Sequence, residues 1–149
     1  MKKKAIYLVG IAVVLLICVI AYFKPLSLSN TASQNSKISM ILNEYVIRNG
    51  EPDIEVVEYR DITTEQKSAF LALLEKYTYK RTLGTLFSNG TISGIGNKML
   101  SIYMFGENTS GGGIFVTSSG KIVVNAKNYR MENSEQFIEQ IIEIMEQTD

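Results

Sequence analysis

From Ala5 to Phe23 the chain reads AIYLVGIAVVLLICVIAYF, with no charge and no strongly polar side chain. At about 1.5 Å per residue a helix over this run would measure roughly 28 Å, about one hydrocarbon core. Tyr7, Tyr22 and Phe23 stand near its ends, where aromatic rings favour an interface, and Pro25 follows the last apolar turn. Lys2, Lys3 and Lys4 precede the run and Lys24 follows it. The pattern predicts one transmembrane helix, with the lysines cytoplasmic and the rest of the chain outside. The expected location is therefore the cell membrane, single-pass, with the lipid bilayer as a partner through one helix. Secretion after cleavage at Ala21 or Ser29 is the alternative, although the run is longer than the 7–15 apolar residues usual in a signal peptide. A lipoprotein reading fails because Ile17, not a small residue, precedes Cys18.

The pattern then changes. Leu26 to Ser36 (LSLSNTASQNS) is uncharged and rich in Ser and Asn, which predicts a flexible tether. In KISMILNEYVIR, Ile38, Met40 and Leu42 alternate, and then Tyr45 and Ile47 alternate on the other parity. That slip predicts a strand with a bulge near Asn43 and Glu44, or a short helix, before a turn at Asn49-Gly50. Ile54, Val56, Val57 and Tyr59 favour a second strand. Thr63 to Tyr77 predicts a helix: Thr63 and Gln66 form a capping box, and Phe70, Leu73, Leu74 and Tyr77 make one apolar stripe. Strands are expected over Thr78–Phe87, Lys98–Phe105, Ile114–Thr117 and Lys121–Ala126, the last two as a hairpin around Ser118-Ser119-Gly120. A final helix over Ser134–Gln147, capped by Asn133 or Ser134, buries Phe137, Ile138, Ile141, Ile142 and Met145.

This order predicts an α+β fold: an antiparallel sheet of about 4–6 strands with two helices packed on one face, preceded by one transmembrane helix. The expected layout is a basic tail over residues 1–4, the span over 5–23, the tether over 24–36 and an extracytoplasmic domain over 37–149.

Charge sharpens the picture. The chain has 149 residues, with 15 basic and 15 acidic side chains. Setting aside the four lysines that flank the apolar run leaves 11 basic residues against 15 acidic, a balance of −4. Such a domain has no basic footprint for nucleic acid. Histidine is absent and the one cysteine, Cys18, lies in the apolar run. The commonest general base and the usual soft metal ligands are missing, so neither cofactor nor metal is expected.

Few motifs suggest chemistry. Ser118-Ser119-Gly120-Lys121 has the spacing of a serine–lysine acylation pair, but that chemistry needs the two residues a helical turn apart, and here they fall in a hairpin. Gly90, Gly94, Gly96 and Gly111-Gly112-Gly113 lead into strands rather than helices, unlike phosphate loops. Glu44, Asp53, Glu55, Glu58, Asp61 and Glu107 are scattered acids with no spacing that defines a glycosidase pair. The domain's tyrosines are read first as packing on a half-buried sheet. Were Thr78–Phe87 or Lys98–Phe105 an edge, Tyr79, Arg81, Tyr103 and Phe105 would form a partner surface.

The layout weakly resembles uncharacterised single-span, membrane-anchored small-domain proteins of Gram-positive bacteria. The resemblance rests on Tyr79-Lys80-Arg81 and on the Ile114–Val116 and Lys121–Val124 hairpin before the last helix. It implies no activity and no functional residue. The expected function is a non-catalytic, membrane-anchored domain that binds a protein or envelope partner outside the cell. Alternatives are an immunity-type inhibitor of a secreted toxin and a small cell-envelope hydrolase using carboxylates or Ser118 and Lys121.

Overall fold

The computed structural model describes residues 2–32, 37–92, 96–106 and 109–147. The chain runs through α1 (Lys2–Tyr22), β1 (Leu26–Ser27), β2 (Lys37–Arg48), β3 (Glu51–Tyr59), α2 (Thr64–Lys76), β4 (Thr78–Lys80), β5 (Lys98–Gly106), β6 (Thr109–Thr117), β7 (Lys121–Val124), β8 (Lys127–Met131) and α3 (Ser134–Glu146). The strands form one 8-stranded sheet in the order β1-β4-β8-β7-β6-β5-β2-β3. Every neighbouring pair is antiparallel.

The expectation of 4–6 strands is therefore corrected to eight. β1 and β8 are the two that the sequence pattern hides. β8 follows a two-residue turn in which Asn125 and Ala126 both have positive φ (50° and 56°). Turns of that kind favour Gly at the second position, so an alanine there gives no turn signal. β1 lies in the stretch expected to be a tether. It pairs with β4, Leu26 opposite Tyr79, and a single 3₁₀ turn over Leu28–Thr31 follows. Leu28 is wholly buried. The tether reading is thus corrected for residues 26–31, which belong to the fold; residues 33–36 lie outside the described residues.

The transmembrane expectation is also overturned. Among the described residues no helix is long and apolar enough to cross a membrane. α1 is helical over Lys2–Tyr22. Single-pass anchoring of residues 5–23 therefore lacks support, and so does the membrane location that rested on it.

The core lies on one face of the sheet. Ile38, Met40 and Leu42 of β2, Leu100, Ile102 and Met104 of β5, Ile114 and Val116 of β6, and Ile122 and Val124 of β7 pack in one cluster with Phe70, Leu73 and Leu74 of α2 and Phe137, Ile138, Ile141 and Met145 of α3. Each such side chain contributes about 1.5–3 kcal/mol of burial. The Thr63 cap reads as the sequence indicates: its hydroxyl accepts from the Gln66 N–H and the Gln66 side chain accepts from the Thr63 N–H. α3 begins differently. Asn133 is its N-cap, in a left-handed conformation and without a side-chain cap bond, while the Ser134 hydroxyl donates to the Ser118 carbonyl at 3.2 Å.

The bulge expected in β2 is absent. Register runs unbroken from Met40 opposite Tyr59 to Arg48 opposite Glu51. Pairing of β2 with β5 ends at Glu44 opposite Lys98, so beyond that point no core remains and the change of parity has nothing to conflict with. β4 is shorter than expected. Thr82 and Thr85 make a second capping box and turn the chain into a 3₁₀ turn over Leu83–Leu86.

Candidate functional site

The face of the sheet away from the helices is covered over only part of its width. One cross-strand row on it reads Glu58, Ile41, Ser101, Phe115, Val123 and Asn128. At the β7–β8 end the segment from Thr82 to Ile92 crosses over it. Thr85 donates to the Asn128 carbonyl at 2.6 Å, the Asn128 N–H donates to the Ser88 hydroxyl at 2.9 Å, and the Asn128 side-chain amide donates to the Thr91 carbonyl at 2.8 Å. Gly90, at φ +82°, lies close against the Ala126 backbone, where a Cβ would come within 3.0 Å of its Cα.

Among the described residues nothing comparable covers the β2–β3 end. Past the bond from the Tyr45 N–H to the Asn97 carbonyl at 2.8 Å, the hairpin projects beyond the sheet as a two-stranded ribbon around the Asn49-Gly50 turn. β3 is the outermost strand, and every residue from Glu51 to Glu58 is exposed. Tyr45 lies opposite Ile54 and Ile47 opposite Pro52; Ile47 is 79% exposed, Val56 54% and Ile54 47%. Carboxylates alternate with these apolar groups. Arg48 reaches Glu55 at 3.0 Å and Asp53 at 3.6 Å, and Arg60 reaches Glu58 at 2.7 Å. Exposed pairs of this kind hold little energy, so the acids remain available to a second cation.

The four residues expected to form a partner surface are dispersed. β4 and β5 are both interior strands. Tyr79 is buried in the core, edge-on to Tyr129 with ring centroids 4.8 Å apart. Its hydroxyl pKa is pushed up by burial and by Tyr129, with Arg81 opposing. Arg81 serves α1: it donates to the Tyr22 carbonyl at 3.2 Å and its guanidinium lies 5.5 Å from the Tyr22 ring centre. That places a cation at the negative end of the helix. Tyr103 packs edge-on against Phe115, centroids 5.8 Å apart, on the open face. Phe105 is half exposed near the end of β5. The open face thus brings Tyr103 and Phe105 onto one strand, and Tyr79 and Arg81 lie elsewhere.

Ser118 and Lys121 flank a hairpin turn. The Ser118 hydroxyl accepts backbone N–H bonds from Asn97 at 3.0 Å and Lys98 at 3.1 Å, which makes it a clamp between β5 and the turn. Glu44 faces Lys98 at 3.6 Å, and Asp61 borders two shallow hollows beside β2. Glu107 lies outside the described residues. Among the described residues no group of three or more acids or cysteines is placed to hold a metal.

A pocket of about 310 Å³ opens where the Thr82–Ile92 segment meets β7 and β8. Ser88, Thr91, Ser119, Lys121, Asn128 and Arg130 are among its lining residues. Among the described residues the buried Asn128 Oδ1 atom has no hydrogen-bond partner. Sequence reasoning missed both this pocket and the ribbon. The Asn49-Gly50 turn and the change of parity in β2 were the signals for the ribbon. No family model, curated protein or solved structure matches the chain.

Proposed function

We propose that the protein is a non-catalytic binding module that takes an extended segment of a partner protein along β3. The observation that carries this reading is the unpaired edge of β3, exposed from Glu51 to Glu58 and bearing Ile54 and Val56 beside Tyr45 and Ile47. An outermost strand of this length offers main-chain donors and acceptors for one more strand, and its alternate side chains supply selectivity. The acids indicate the chemistry of the partner. Two copies joined antiparallel along β3 would set carboxylate against carboxylate, which opposes self-pairing. A partner strand with Lys or Arg between apolar residues meets Glu51, Asp53 and Glu55 favourably on one face while its apolar residues meet Ile54 and Val56 on the other.

Selection of random peptides on the immobilised protein tests this. Enriched peptides should alternate apolar and basic residues, bind with a salt-dependent affinity, and slow amide exchange in β3. Ile54→Lys and Val56→Lys, each at an exposed position, should leave the melting temperature within a few degrees and weaken binding about tenfold. Peptides that bind these variants as tightly as the original protein would refute the reading.

A further inference from the structure

Asn49-Gly50 and Asn89-Gly90 are the same dipeptide in different surroundings. Their glycines share one conformation, φ +85° at Gly50 and +82° at Gly90, and both asparagines are exposed. Asn89 is fastened. Its Oδ1 atom accepts from the Thr91 N–H at 3.1 Å, and the Lys127 ammonium donates to the Ser88 carbonyl at 3.0 Å. The bonds from Asn128 to Ser88 and Thr91 hold the chain on both sides of the pair. Gly90 itself is pressed against the Ala126 backbone. Asn49-Gly50 instead forms the tip of the ribbon that runs past the core, and a Cβ on Gly50 would meet nothing within 4 Å. Among the described residues no comparable set of bonds reaches this tip. A segment with so few contacts opens locally at little cost.

We infer that Asn49 is a site of spontaneous deamidation, with water as the co-reactant, and that the fold protects Asn89 from the same reaction. Glycine leaves the following backbone nitrogen unhindered, since it has no side chain. The Gly50 nitrogen attacks the side-chain carbonyl carbon of Asn49. A C–N bond forms, the bond to the amide nitrogen breaks, and ammonia departs with the proton of the Gly50 N–H. The cyclic imide then takes up one water. Opening at the side-chain carbonyl gives aspartate; opening at the main-chain carbonyl gives isoaspartate, with the chain running through the side-chain carbon. To bring the two groups together, Asn49 must leave its left-handed conformation, φ 54°, which the ribbon tip allows and the bonds around Asn89 resist. Either product adds a carboxylate beside Glu51, and isoaspartate also lengthens the backbone between Arg48 and Glu51, which pair across the hairpin. The inference does not depend on any partner along β3.

Incubation of the full chain in mildly alkaline buffer, and in parallel in concentrated guanidinium chloride, tests it. Peptide mass spectrometry follows the change of amide to acid at each asparagine, and enzymatic methylation detects isoaspartate. In the folded chain Asn49 should react about tenfold faster than Asn89 or more, because Asn89 must first be released from its bonds. In denaturant the two rates should converge, since only the shared dipeptide then matters. Asn49→Gln should melt close to the original protein and lose the fast isoaspartate signal. Three results would overturn the inference: no reaction at Asn49 in the folded chain while the denatured chain reacts, equal rates at Asn49 and Asn89 in the folded chain, or the same gap between them in denaturant.

Discussion

Ala126 holds a left-handed backbone conformation, φ 56°, that suits glycine far better than alanine. Its strain is tolerated because the β7–β8 pairing and the Gly90 approach fix the turn around it. Ala126→Gly should therefore stabilise the protein by about 1 kcal/mol, read from the urea midpoint. Leu28 makes the opposite case. It stands among Ser and Asn residues, with no period to mark it, and yet it is wholly buried. The Leu28 N–H also donates to the Tyr77 carbonyl at 3.1 Å. Leu28→Ala should cost about 2–5 kcal/mol, whereas a true tether residue would cost almost nothing. Equilibrium denaturation separates the two. Neither residue was legible in the sequence, because each owes its role to a neighbour far along the chain.

Elements whose stability is local were legible; those completed by distant partners were not. The capping box of α2 and the apolar stripes of α2 and α3 depend on residues three and four apart, and the sequence displays them directly. Thr63→Ala should lower stability by about 1 kcal/mol, with the loss seen in thermal melts. β2 is the instructive failure. Its change of parity suggested a bulge, since side-chain alternation was assumed to serve one core along the whole strand. In fact the strand outruns the core, and Tyr45 and Ile47 face the open side. The same assumption misread the stretch after β4, where Leu83 and Phe87 are exposed on a turn instead of buried along a strand. The candidate site suffered most. A partner surface at Tyr79 required its strand to lie at an edge, and the added strand β1 makes β4 interior.

For the molecule as a whole, tyrosines set the behaviour in alkali. Burial pushes up the hydroxyl pKa of Tyr59, Tyr77 and Tyr79, with Glu146 adding to the effect at Tyr59. A raised tyrosine pKa means that the folded state holds its proton more tightly than the unfolded state. The resulting stability is complete below the ordinary value of about 10 and is lost as pH rises through the folded value. Thermal melts from pH 8 to 12 should show stability falling across the upper part of that range. Tyr79→Phe should flatten the fall, because it removes one titrating hydroxyl from the core.

The sheet order has a consequence for reach. Helix α1 is fastened where β1 and β4 lie, through Arg81 and through the Tyr22 hydroxyl, which donates to the Thr82 carbonyl. The exposed strand β3 lies at the other end of the same sheet. Seven inter-strand steps of about 4.8 Å place these two ends roughly 34 Å apart along the sheet. A twist of about 20–25° at each step turns one end by roughly 150° relative to the other. Whatever contacts the helix and whatever contacts β3 are therefore held at a fixed separation and turned almost back to back, with the sheet acting as a rigid, twisted spacer between them.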